Sequence, residues 1–198
     1  MITRLHELLE IAQENPPTRV AVAAAAHKLV LQSVQRAVER GLIIPLLVGI
    51  EKDIREEAEA IGWQLEDELI VPTSTNAAAA DAAVALVRQG EAQVLMKGYL
   101  HTDEMLHAIL RQEIGLRTDR LLSHVFVLEV PTYHKLLLIT DAAINIHPDI
   151  LQKAAITQNA VDLARKLGVE VPKVAALSSV ETINPKIPST VHAACLHK

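Results

Sequence analysis

The chain has 198 residues, 50% of them apolar and only 2% aromatic, with a net charge of −5. That length suits one domain or two small ones, and the apolar fraction excludes a disordered chain, which needs low hydrophobicity and high net charge. Scattered basic residues and few rings (Trp63, Phe126, Tyr99 and Tyr133) exclude a nucleic-acid groove, where cations track phosphates and aromatics stack on bases.

Leu5, Leu8, Leu9 and Ala12 recur at helical spacing, so residues 3–14 read as an amphipathic helix that Pro16-Pro17 ends. Residues 19–24 are a short apolar run, read as a buried strand. Leu29, Val30, Val34, Ala37 and Val38 share one face of a helix over 28–40, with Gly41 just beyond. The same unit then recurs. Residues 43–48 read as a strand and 53–61 as a helix ending at Gly62; 69–71 as a strand and 76–88 as a helix ending at Gly90; 93–97 as a strand and 102–112 as a helix. Strands alternating with helices predict an α/β fold with a largely parallel sheet and helices on both faces. The nearly unbroken apolar strands agree, since a sheet buried on both faces needs no polar alternation.

The rhythm changes after Gly115. Residues 121–129 and 135–140 are β-rich runs spaced for an antiparallel hairpin. A helical pattern covers 148–167, with Pro148 in its first turn and Gly168 past its end. Residues 173–177 read as another strand, and 182–198 show no clear period before Val191.

The single cysteine, Cys195, allows no internal disulfide and fits a reducing compartment. Residues 1–15 lack the apolar core of a secretory signal, and the most apolar stretches, 20–26 and 43–50, are too short to span a bilayer. The expectation is a soluble, cytoplasmic protein with no membrane partner and no nucleic acid.

In an open parallel sheet, ligands gather outside the carboxyl ends of the strands. Lys97 ends one strand, Gly98 turns the chain, and Thr102 and Asp103 open a helix. Such a segment can hold an anion between an ammonium and backbone N–H groups. Spacing alone favours a plainer reading, with Thr102 or Asp103 as a helix cap and Lys97 solvated; neither a Walker pattern nor a GxGxxG is present. Thr73-Ser74-Thr75-Asn76 reads as the cap of the Ala-rich helix. Ser123-His124 opens a strand, where neighbouring side chains point to opposite faces, so the pair is no catalytic dyad. Thr140 and Asp141 close an apolar strand and Asn145 follows before a helix. Asx-type bonds holding the loop and groups orienting a ligand explain these residues equally well. The nine histidines have no zinc-type spacing, so no metal is expected. Cys195 is a poor candidate nucleophile.

Several stretches carry more. Met96-Lys97-Gly98, His101-Thr102, Ser123-His124-Val125-Phe126-Val127 and Ile139-Thr140-Asp141-Ala142-Ala143-Ile144-Asn145-Ile146 come first. Gln158-Asn159-Ala160, Pro172-Lys173-Val174-Ala175, Ser179-Val180-Glu181-Thr182 and Ile187-Pro188-Ser189-Thr190 follow in the same order. Together they resemble the phosphate acetyl/butyryltransferase family, including the acyltransferase part of bifunctional enoyl-CoA hydratase/phosphate acetyltransferases. The likeness runs over nearly the whole chain and is densest from Val94 onward.

The resemblance implies an isocitrate/isopropylmalate dehydrogenase-like architecture of two α/β domains with a cleft between them. It implies transfer of an acyl group between coenzyme A and inorganic phosphate, with acyl-CoA, phosphate and acyl phosphate as partners, no bound cofactor and no metal. A homo-oligomer is the family habit. Strand-end placement and motif match together nominate Lys97, Thr102, Ser123, Thr140, Asp141 and Asn145 to line the cleft, and Arg117 to contact phosphate; no catalytic residue is assigned. Family members are about half as long again and carry, near their C-terminus, a Ser-Arg motif followed by an Asp. This sequence has no counterpart, so the expectation is a truncated member, with an N-terminal α/β domain over 1–141 and the first part of an incomplete second α/β domain over 142–198. The alternatives are a catalytically dead remnant that binds CoA, phosphate or a partner chain, and an oxidoreductase on the related dehydrogenase fold, against which the missing nucleotide fingerprint speaks.

Overall fold

The computed structural model describes residues 2–197. Its contacts divide the chain into two compact units, Glu10–Thr118 and residues 2–9 with 119–197. This division falls at 118/119, whereas the sequence places a boundary between 141 and 142. Helix α1, Leu5–Gln13, runs across the first division.

The unit Glu10–Thr118 is built on four parallel strands, β1 (Thr18–Ala23), β2 (Ile43–Gly49), β3 (Ile70–Pro72) and β4 (Val94–Lys97), in the order β3-β2-β1-β4. Alternate side chains of β1 feed two different cores. Val20 and Val22, with Leu47 of β2, pack under α2 (Lys28–Glu39) and α3 (Glu51–Ala60), against Leu31, Val34, Ile54 and Ala58. Trp63, just past α3, packs against the same cluster. Ala21 and Ala23, with Leu46 and Val48, face α4 (Asn76–Arg88) and α5 (Thr102–Leu110), against Ala79, Ala80, Ala83, Val84, Met105 and Ala108. Small residues on both sides of that second layer let α4 sit close to the sheet, which explains the alanine run. The expected parallel sheet with helices on both faces is therefore the observed one.

Pro45 lies within β2 and is fully buried, although a proline cannot donate to a ladder. Thr18 N–H donates to Leu42 C=O, so even-numbered residues of β2 face β1 and Pro45 turns its nitrogen to the other edge. β3 joins that edge only from Leu47, so no hydrogen bond is lost.

In residues 119–197, β5 (Phe126–Leu128) and β6 (Leu137–Ile139) form the expected antiparallel hairpin, with Phe126 opposite Ile139. Both strands are shorter than the sequence runs that announced them. Helix α6 (Ile150–Lys166) opens with a reciprocal cap. The Asp149 carboxylate accepts from Gln152 N–H at 2.8 Å, and the Gln152 side chain accepts from Asp149 N–H at 2.9 Å.

One expectation fails here. Residues 173–177 are not a strand: no ladder partner reaches them among the described residues, and Val174 and Leu177 stay exposed. A strand needs a neighbour for its backbone groups, and apolar character alone does not supply one. Helix α7 (Pro188–Leu196) begins three residues before Val191, where the sequence first shows a period. Pro188 stands in its first turn, where its missing N–H costs nothing, and the one proton of the Thr190 hydroxyl is shared between the carbonyls of Asn184 (2.9 Å) and Ile187 (2.8 Å), which fixes the entry.

Candidate active site

The connections from β1 to β2 to β3 step toward one sheet edge. The next connection returns past β1 and adds β4 on its far side. The order therefore reverses between β1 and β4, and in open α/β sheets the crevice at such a reversal is where ligands bind. Lys97 is the last residue of β4 and Ala23 the last of β1.

Beyond those ends the two chains stay joined. Gly98 N–H donates to Ala23 C=O at 2.8 Å, and Tyr99 N–H donates to Ala24 C=O at 2.9 Å. Ala24 has φ +53, a left-handed conformation uncommon for a residue with a Cβ. Gly98 has no alternative: a Cβ there would collide with the carbonyls of Ala23 and Ala24. The His27 ring caps α2, its Nδ1 accepting from Leu29 N–H at 3.3 Å. Tyr99 lies on that ring, with centroids 4.2 Å apart and planes 13° from parallel. Lys97 Nζ donates to Leu100 C=O at 2.8 Å. Thr102 is the first residue of α5 and not its cap: His101 holds that place, and its N–H is received by Glu104 at 3.1 Å. Lys97, Thr102 and Arg117 are all exposed.

The other four nominated residues, Ser123, Thr140, Asp141 and Asn145, belong to residues 119–197 and are drawn into one network. Residues 121–124 precede β5 and have no strand beside them. Side chains take that role. Asn159 Nδ2 of α6 donates to Leu121 C=O and to Ser123 Oγ, both at 2.8 Å. Asn145 Nδ2 donates to Leu122 C=O at 3.0 Å. Thr140 Oγ1 donates to His124 C=O at 2.7 Å, and His124 N–H donates to Asp141 Oδ2 at 3.3 Å. Arg120 holds Asn159 Oδ1 and Asp162 Oδ2, each at 2.6 Å. Ser123 and His124 thus lie in an irregular segment ahead of the strand they were expected to open. The His124 ring packs edge-on against Phe126 at 4.2 Å, and its Nδ1 is buried without a hydrogen-bond partner.

Asp141 is the centre of this network. The Thr140-Asp141 peptide is cis. Partial burial pushes its carboxyl up, but the N–H groups of Ala143 and Ile144, the Asn145 amide and His124 N–H more than offset this and hold it down at about 2. Oδ1 receives Ala143 and Ile144, both at 3.0 Å, and Oδ2 receives Asn145 at 2.6 Å as well as His124. A carboxylate so saturated is a poor proton acceptor near neutral pH. The Asp141 Oδ1 bonds to Ala143 and Ile144 are Asx-type bonds that hold the loop.

Sequence reasoning missed Asn159 and the His27–Tyr99 pair as site elements. A signal for Asn159 existed: it shares a helix face with Ile156 and Leu163, and a polar side chain on a core stripe needs partners. Among the described residues, no three His, Cys, Asp or Glu side chains assemble as a metal site, and no helix is long and apolar enough to cross a membrane. An open groove of about 780 Å³ beside α4, lined by Thr73, Asp81, Ala82, Arg88 and Ile114 among others, contains none of the nominated residues. It is a shallow surface feature, and the sheet end is the better candidate because polar groups converge there.

Fold and sheet end together define an α/β protein whose strand order reverses between β1 and β4. The family model described as "Phosphate acetyl/butaryl transferase" matches residues 70–197, and the chain belongs to that family. It is 45% identical to a phosphate acetyltransferase of Rhizobium meliloti over 99% of this chain and 62% of the relative. It is 39% identical to a phosphate butyryltransferase of Clostridium acetobutylicum over 100% of this chain and 66% of that protein. A branched-chain phosphotransacylase structure from Enterococcus faecalis V583 superposes with a TM-score of 0.72 at 34% identity, covering 90% of this chain and 62% of that one. The chain thus spans about two thirds of the length of these relatives.

Proposed function

We propose that the protein is a phosphate acyltransferase that moves an acetyl, butyryl or similar acyl group between coenzyme A and inorganic phosphate. The observation that carries this reading is the identity of 39–45% to phosphate acetyl- and butyryltransferases along the whole chain.

In the direction of acyl-CoA synthesis, the CoA thiolate attacks the carbonyl carbon of the acyl phosphate. A C–S bond forms, the C–O bond to phosphate breaks, and phosphate leaves. The protein must bind the phosphate, orient the thiol, remove its proton and stabilise the oxyanion. An exposed ammonium at Lys97, the hydroxyl of Thr102 at the start of α5 and the guanidinium of Arg117 suit the phosphate. Ser123, Thr140 and Asn145 suit an orienting role toward a substrate. Asp141 acts as an anchor of the loop and not as the base that takes the thiol proton, a reading supported by its lowered pKa of about 2. Acyl-CoA, phosphate and acyl phosphate are the partners, and nothing is covalently or permanently bound. On the same reading residues 142–198 open a second α/β domain, the working form is a homo-oligomer, and the compartment is the cytoplasm. The sequence carries no basic stripe for nucleic acid.

A second reading, binding without turnover, is favoured by the coverage of 62–66% of the two bacterial relatives. One experiment separates the two. CoA release from acetyl-CoA and butyryl-CoA is followed in phosphate buffer, with CoA binding measured by calorimetry. Turnover that falls about tenfold or more in Lys97→Ala supports the transferase. CoA binding without turnover supports the second reading, and absence of both overturns each.

A further inference from the structure

The mechanism above leaves the His27–Tyr99 pair unused, although it stands at the strand-order reversal. Tyr99 is 63% exposed in a chain that holds few aromatic side chains. Its ring is not loose. One face is backed by His27, which is itself fixed by its bond to Leu29 N–H. Its backbone is fixed by the bond to Ala24, and the residue before it is a glycine with no room for a Cβ. The side chain is otherwise largely exposed, and among the described residues no second ring stacks on it. A rigid aromatic surface with one face covered and one open receives a flat ring without losing rotamer freedom on binding. An exposed cation, Lys28, stands next to His27 in sequence.

We propose that Tyr99, backed by His27, is the stacking platform for the purine ring of a nucleotide-bearing ligand, with Lys28 serving its phosphates. The inference rests on the acyl-CoA reading for the whole ligand, which would then be gripped by its adenine at the switch point. The purine platform itself can stand or fall separately. Stacking of a base on an aromatic side chain contributes enough that removing the ring weakens binding about tenfold or more.

The test is calorimetric titration of the 198-residue chain with three probes: CoA, adenosine 3′,5′-bisphosphate, which carries the purine and its phosphates without the pantetheine arm, and 4′-phosphopantetheine, which lacks the purine. Tyr99→Ala is expected to weaken CoA and the bisphosphate about tenfold or more and to leave phosphopantetheine unchanged. Tyr99→Phe is expected to stay within about twofold of the wild type. Tyr99→Leu, which keeps apolar bulk without a ring, is expected to match the alanine variant, and unchanged phosphopantetheine binding in both shows that neither has lost its fold. Equal CoA affinity in wild type and Tyr99→Ala overturns the platform while leaving acyl transfer standing. Equal weakening of phosphopantetheine also overturns it, because the effect then belongs to the loop and not to the purine. Bisphosphate binding that depends on Tyr99 in a chain without turnover supports the platform and removes the transferase reading.

Discussion

The two units of this chain reach order by different routes. In Glu10–Thr118 the structure is apolar: the largest fully buried side chains, among them Leu31, Leu47, Ile54, Val22 and Val34, all come from it. In residues 119–197 the buried apolar set shrinks to Leu136, Ile156 and Ala164, while Ile146 (87% exposed), Leu151, Val171 and Leu177 face outward. Charge-assisted hydrogen bonds replace burial there. Every carboxyl group clearly lowered in pKa among the described residues lies in residues 2–9 or 119–197. They are Glu7, bonded to the Thr3 hydroxyl; Glu129, receiving Leu5 N–H; Asp162, beside Arg120; and Asp141, whose burial is outweighed by its four donors. One polypeptide thus carries a unit ordered by an apolar core and a unit ordered in part by hydrogen bonds to ionised carboxylates.

The sharpest way to strain this contrast is Leu47→Ala. Leu47 is fully buried between β1 and the helices above it, so the expected cost is about 2–5 kcal/mol from lost transfer energy and a cavity. Denaturant unfolding reads it, and hydrogen exchange is expected to show the loss in the strands of Glu10–Thr118. An effect below about 1 kcal/mol would mean that this core is not the stabilising element.

Next comes Asp141→Asn, expected to cost roughly 1.5–3 kcal/mol locally. The amide would present a donor where two donors already point. Hydrogen exchange is expected to rise at His124, Ala143 and Ile144 and to stay unchanged in β1 and β2. Acid should reproduce this. The folded value of about 2 lies below the ordinary 3.8, so the contribution is complete above about pH 4 and is lost as the pH falls through about 2. It is on the order of 2 kcal/mol. Loosening of residues 121–124 and 141–145 over that window in the wild type, and its absence in Asp141→Asn, would tie the pH response to this carboxylate.

The smallest effect is expected from Leu177→Ser. This side chain is 87% exposed, so stability should move by less than about 0.5 kcal/mol. A larger loss in a melting experiment would show that residues 173–177 are covered in solution.

The same contrast explains what was legible in the sequence. Every strand and helix of the parallel sheet was, and the Asn76–Arg88 helix matched to the residue, because periodicity, glycine stops and burial all agree there. Beyond Gly115 they part company. The apolar run at 173–177 satisfies strand preference yet has no ladder to join, and α7 forms around the Thr190 hydroxyl bonds that no periodicity encodes. At the candidate site, Lys97 and Asp141 were visible as polar groups at strand ends. The substitution of a missing strand by Asn159, Asn145 and Thr140 was not, because it pairs residues far apart in sequence. Nor was the stacking of Tyr99 on His27, which depends on β4 lying next to β1.

The sole tryptophan gives the molecule a built-in reporter. Trp63 packs against the cluster beneath α2 and α3, and residues 119–197 contain no indole. Emission excited at the red edge of protein absorption therefore follows the melting of one unit alone, while far-ultraviolet dichroism follows both. A single sample, titrated once and read in two channels, would show whether the units unfold together or in turn.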